Sequence, residues 1–179
     1  MRYYDKVNNI NHNNMKKLIL LIALFCSTLC YAQSPSNIGR KYDDKPFIPH
    51  EMEGCFNLDD AIAAATKLNK PILVDVTGFA NNNGREMEQV VWGNERILTM
   101  LKNDFVICAL YCDDASTDED GQRIGTKNAK LAYERWGIVA MPAYIILSPD
   151  GERVLAGPYG YNTDIDSYVS FLEEGLAKL

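Results

Sequence analysis

The sequence predicts an α/β fold, a central mixed four-stranded sheet flanked by helices on both faces. Three observations carry this. Ile72–Val76, Phe105–Tyr111 and Pro142–Leu147 are short, nearly continuous apolar runs, the pattern of strands buried on both faces. Stretches with apolar residues spaced by three and four stand before, between and after them. Ser148-Pro149-Asp150-Gly151 is a tight-turn sequence that folds the third run into a hairpin.

Taken in order, Asn57 is a candidate N-cap for a helix whose stripe is Leu58, Ala61, Ile62, Ala65 and Leu68, closed near Asn69 by Lys70-Pro71. The strand Ile72–Val76 carries one acid, Asp75. A loop from Gly78 to Gly84 feeds a helical face of Met87, Val90 and Val91, and Gly93-Asn94 recaps a second piece through Ile97, Leu98 and Leu101. After the strand Phe105–Tyr111, an acidic loop from Asp113 to Thr126 leads to a helix carrying Leu131, Ala132 and Trp136. Pro142–Leu147 and Glu152–Ala156 form the hairpin, which places the fourth strand at an edge. Thr163 is the candidate cap of a last helix with Ile165, Tyr168, Val169, Leu172 and Leu176 inward. A parallel pair followed by a hairpin requires the mixed sheet.

The 179 residues fit one domain preceded by a leader. Lys16-Lys17, the apolar run Leu18–Phe25 and the small residues at Cys30 and Ala32 read as a signal peptide over residues 1–32, with Met15 as a candidate start. The run is too short to span a bilayer. The expectation is an exported protein, periplasmic or secreted, with no membrane span after cleavage. Residues 33–56, with Ser34-Pro35-Ser36 and Lys45-Pro46, read as an extended lead-in, and 57–179 as the domain. The net charge of −6, or −9 for residues 33–179, offers no surface for phosphate backbones, so nucleic acid is not an expected partner.

Lys70 to Phe79, Arg85-Glu86-Met87-Glu88, Val91-Trp92, Leu110-Tyr111-Cys112-Asp113-Asp114, Met141 to Leu147 and the Tyr161-to-Leu176 end carry a resemblance. Over roughly Asn57 to Leu179 the chain resembles the thioredoxin-like C-terminal domain of the DsbD-type thiol:disulfide interchange protein. The resemblance implies a thioredoxin-like fold. It also implies a Cys-x-x-Cys at the N-terminus of the helix after the first strand, where backbone amides favour a thiolate. Here that tetrapeptide is Asn81-Asn82-Asn83-Gly84. Exchange requires thiolate attack on sulfur, so no intact catalytic motif is expected. Two further positions match by resemblance: Asp75 as the family's buried acid, and Met141-Pro142 as the cis-proline loop that pairs with an extended peptide. The alternatives are an acid satisfied by a neighbour such as a lysine, and a purely structural turn. Asn83 is the expected cap of the helix.

Of the thiols after the leader, Cys108 and Cys112 lie four apart on one strand, about 13 Å, too far for a mutual disulfide. Cys112, at the end of its strand, is the candidate substitute thiol. Its bland alternative is a half-buried cysteine, and the pairing of Cys55, Cys108 and Cys112 stays open. Ser116-x-Asp118-x-Asp120-Gly121 resembles the start of a calcium loop, but Lys127 stands where the bidentate glutamate belongs. His50 is the sole histidine after the leader, so no metal site, cofactor or His-based catalytic pair is expected. Three functional readings follow: a redox-inactive binding or chaperone-like accessory of envelope thiol metabolism taking a protein or extended peptide at the cis-proline edge; an oxidoreductase with residual activity through Cys112, with or without Cys55; or a structural domain of a larger assembly. Whether the protein is an enzyme is left open by these readings.

Overall fold

The computed structural model describes residues 45–179; the signal-peptide reading and the first part of the lead-in lie outside them. The chain runs α1 (Leu58–Leu68), β1 (Ile72–Thr77), α2 (Asn82–Glu86), a π-helical turn (Met87–Val91), α3 (Glu95–Asp104), β2 (Val106–Tyr111), α4 (Ile124–Trp136), β3 (Ala143–Leu147), β4 (Val154–Tyr159) and α5 (Ile165–Ala177). The sheet order is β2-β1-β3-β4, with β4 at an edge as expected. β1 runs parallel to β2 and antiparallel to β3, and β3 and β4 form the antiparallel hairpin.

Every residue of β1, β2 and β3 is buried, as continuous apolar runs require of strands covered on both faces. Val74, Val76, Cys108, Leu110 and Ile145 pack under α1 and α4. Leu73, Ile107, Tyr144 and Ile146 face the opposite layer of α3, α5 and the π-helical turn, with Trp92 at its centre. Trp92 Nε1 donates to Tyr168 Oη at 2.8 Å, which satisfies two buried polar atoms at once.

Several local expectations are corrected. Val90 is half exposed rather than part of the inward face. The π-helical turn, closed by Trp92 N–H donating to the Met87 carbonyl five residues back, rotates the face so that Met87, Glu88 and Val91 are the buried set. Leu68, the last residue of α1, is exposed. Asp164, not Thr163, caps α5 by accepting from Ser167 N–H at 2.7 Å. β4 extends to Tyr159 rather than ending at Ala156.

The described part of the lead-in packs onto the domain. Met52 is buried in the α3–α5 layer. Cys55 forms a one-residue parallel bridge to Cys108, donating its N–H to the Ile107 carbonyl at 2.8 Å and accepting from Ala109 N–H at 2.9 Å. His50 Nε2 lies 2.6 Å from the carbonyl oxygen of Glu88 in the π-helical turn.

Candidate functional site

The register gathers the sequence-singled residues at one end of the sheet. The last β1–β3 pair is Val76↔Ala143, so Met141 and Pro142 extend past it beside Thr77 and Gly78. On the other side Thr77 pairs with Tyr111, and Cys112 N–H donates to the Thr77 carbonyl at 2.9 Å, one step beyond the strand. The turn from β1 into α2, the Met141-Pro142 loop and Cys112 therefore share one sheet end.

The β1–α2 turn is fixed from below. Asp113 accepts from Phe79 N–H at 2.8 Å and from Ala80 N–H at 3.0 Å. Gly78 makes room for this, since a Cβ there would sit 2.9 Å from the Asp113 carboxylate. The helix is capped by Asn81 rather than Asn83: Asn81 Oδ1 accepts from Gly84 N–H at 3.2 Å, while Asn82 and Asn83 are exposed. Asn81 Nδ2 is buried without a partner among the described residues. Gly84 is buried, and a Cβ on it would lie 3.0 Å from Thr77 Oγ1 and 3.1 Å from Asn81 Nδ2.

Behind the turn sits a buried polar cluster that periodicity did not signal. Arg85 Nη2 pairs with Glu88 Oε1 at 2.7 Å and donates to Thr77 Oγ1 at 3.0 Å. The guanidinium lies over the rings of Phe47 and Tyr111, 5.0 and 5.8 Å from their centroids, and Tyr111 Oη donates to the Phe47 carbonyl. Asp75 is 2% exposed and its Oδ1 has no partner among the described residues. No lysine among the described residues satisfies it. Burial first, then the charge of Glu88, raise its pKa well above the carboxylate range, against the opposing pull of Arg85. Glu88 is likewise raised, to about 7, by burial that the Arg85 charge only partly offsets. The visible signal for this cluster was the Arg85/Glu88 spacing of three on one helical turn.

The thiols are equally legible in electrostatic terms. Cys112 is half-buried, with its Sγ 3.6 Å from the Leu110 carbonyl, and its pKa is pushed up to about 11 by burial, then by Asp113 and Asp75. Burial also raises Cys55, with Asp60 adding to it, and raises Cys108 strongly. Cys112 lines a groove of about 300 Å³ with Val76, Ala132, Tyr133, Ile138 and Met141. Its rim is open: Val139 is 84% exposed and Met141 41%. The Met141–Pro142 peptide bond is cis.

In the acidic loop, Asp118 Oδ1 accepts from the N–H groups of Asp120 and Gln122, and its carboxylate pairs with Lys127. The central acid of the calcium-like run, Asp118, is thus engaged by its own loop and by Lys127 of α4.

A family model described as a thioredoxin-like domain matches residues 58–174. The chain belongs to the thioredoxin-like family. Solved structures similar to this thioredoxin-like domain include a thioredoxin from Thermus thermophilus, 15% identical, with a TM-score of 0.55 over 70% of this chain and 88% of the other. A structure titled DsbH oxidoreductase is also 15% identical, with a TM-score of 0.52 over 74% of this chain and 92% of that one. At this identity the likeness speaks to the fold. No curated protein matches the sequence. No helix among the described residues of this thioredoxin-like domain is long and apolar enough to cross a membrane.

Proposed function

We propose that this thioredoxin-like protein does not exchange thiols and instead binds an extended protein segment at the Met141-Pro142 edge. It acts as an exported accessory to thiol metabolism of the kind handled by DsbD-type proteins. The observation that carries the reading is the use of Asn81, whose side chain caps α2 where the family's nucleophile belongs. The raised pKa values of Cys55, Cys108 and Cys112 support it, because each thiol stays protonated near neutral pH. The open rim at Val139 and Met141, left uncovered by residues 45–56, supports a peptide-binding edge.

The test is insulin reduction with dithiothreitol by the purified protein beside an Asn81→Cys, Gly84→Cys variant. A silent parent with an active variant is the expected result. An active parent sinks the proposal. Peptide binding is tested separately by titrating a reduced, unfolded polypeptide and comparing Met141→Lys, for which a loss of affinity of fivefold or more is expected. The export component is tested by fractionating cells that produce the full chain.

One observation favours a second reading, residual oxidoreductase activity through Cys112: the thiol lines the same groove as Met141. In the insulin assay this reading requires activity that disappears with Cys112→Ser.

A further inference from the structure

The bridge between the lead-in and β2 sets two cysteines side by side. Cys55 and Cys108 are the paired residues of a parallel bridge, and both pack into the same apolar layer beneath α1. Adjacent strands lie about 4.7–4.9 Å apart, within the roughly 4.4–6.8 Å Cα separation that disulfides span. Cys112 is four residues further along β2 from Cys108, about 13 Å away by strand rise. The register therefore separates one feasible pairing from the other two. Both thiols are free in this structure.

We propose that Cys55 and Cys108 are a redox-sensitive pair that a disulfide-bearing oxidant converts to a cross-strand disulfide, pinning the lead-in to the outer edge of β2. The chemistry is two successive exchanges. Cys55, the more exposed thiol, loses its proton, and its thiolate attacks one sulfur of the oxidant, breaking that S–S bond and expelling one thiolate. Cys108 then loses its proton and attacks the Cys55 sulfur, forming the Cys55–Cys108 bond and expelling the second thiolate. Two protein thiols are oxidised by two electrons, the oxidant is reduced to two thiols, and the two protons end on the leaving thiolates. Burial of both sulfurs makes the reaction slow at neutral pH and faster in alkali.

The bond would close a loop running from the lead-in through α1, β1, α2 and α3 to β2. It would hold Phe47 and His50 against Arg85 and the π-helical turn, because both lie on the segment that Cys55 anchors.

The experiment incubates the full chain with excess oxidised glutathione at pH 8.5, blocks remaining thiols by alkylation, and maps a chymotryptic digest by mass spectrometry. Cleavage after Leu110 and Tyr111 separates Cys108 from Cys112. The expected result is a Cys55–Cys108 link with Cys112 outside it. Oxidation should raise Tm by on the order of 5–10 °C in the parent and in Cys112→Ser, but not in Cys55→Ser. Alkylated Cys55 and Cys108 after oxidation, a Cys55–Cys112 link, or a Tm rise that survives Cys55→Ser each overturns the proposal. The digest of the parent decides the matter even where a variant folds poorly.

Discussion

Asp75 and Tyr144 face each other as a cross-strand pair of β1 and β3, and neither Asp75 Oδ1 nor the Tyr144 hydroxyl has a hydrogen-bond partner among the described residues. A carboxyl in that setting keeps its proton well above the usual carboxylate range. The native state then binds a proton that the unfolded chain releases, so stability is fully present below the unfolded value and declines as pH rises towards the folded one. Asp75→Asn is expected to abolish that decline, so that the variant gains on the parent as pH rises to 8 and not at pH 4. Urea midpoints across this range check it.

Glu88 supplies a second part of the same profile, coupled to the first through its charge. Its folded pKa of about 7 lies above its ordinary value, so its contribution is lost as pH rises from about 4.5 to 7. Glu88→Gln removes that segment of the slope and, by taking away the charge that adds to the Asp75 shift, reduces the Asp75 segment without abolishing it, since burial is its larger cause. It also leaves Arg85 without its 2.7 Å partner, so the variant should be less stable than the parent at pH 8. A variant whose slope between pH 4.5 and 7 matches the parent's would refute the assignment.

Thiol reactivity gives a third expectation. With its pKa pushed to about 11, Cys112 should alkylate at pH 7.5 about a hundredfold more slowly than an unperturbed thiol, and its rate should still be climbing at pH 10. Pulsed alkylation with peptide-level quantification measures this directly.

Gly125 is a position where packing leaves no room. A Cβ there would lie 2.6 Å from both Asp114 N and the Cys112 carbonyl, which are backbone atoms that cannot swing aside. Gly125→Ala should cost about 1–3 kcal/mol and loosen the Cys112–Asp114 segment, visible as faster alkylation of Cys112.

Asp113 holds the β1–α2 turn through two N–H groups, so Asp113→Ala should destabilise by about 1.5–3 kcal/mol, with Asp113→Asn intermediate. Thermal unfolding of the three proteins settles the order.

The strands were readable because runs such as Val106–Tyr111 are buried on both faces and carry no competing signal. The cap of α2 was not, since Asn81, Asn82 and Asn83 are chemically identical candidates; only the extended backbone at Asn81 selects one. The inward face of the π-helical turn was misread for a related reason: a 3.6-residue period assigns Val90 to the core, and one extra residue in the turn hands that place to Glu88. The polar cluster itself depends on Phe47, nearly forty residues upstream of Arg85, and a contact at that separation leaves no local periodicity. The Cys55–Cys108 adjacency likewise follows from strand register, which thiol spacing alone does not encode.

The cap at Asn81 also shapes the route from this sequence to a working dithiol. Asn81→Cys alone removes a helix cap worth about 1 kcal/mol and yields a thiol with no partner. Gly84→Cys alone sets a side chain against Thr77 Oγ1 and Asn81 Nδ2, again with nothing to bond to. Asn81→Cys as a first step therefore lowers stability before a dithiol forms, and Gly84→Cys as a first step makes Thr77 Oγ1 and Asn81 Nδ2 give way without forming one. Neither single substitution is rewarded, and the helix cap itself helps to keep the Asn81-to-Gly84 motif as it is.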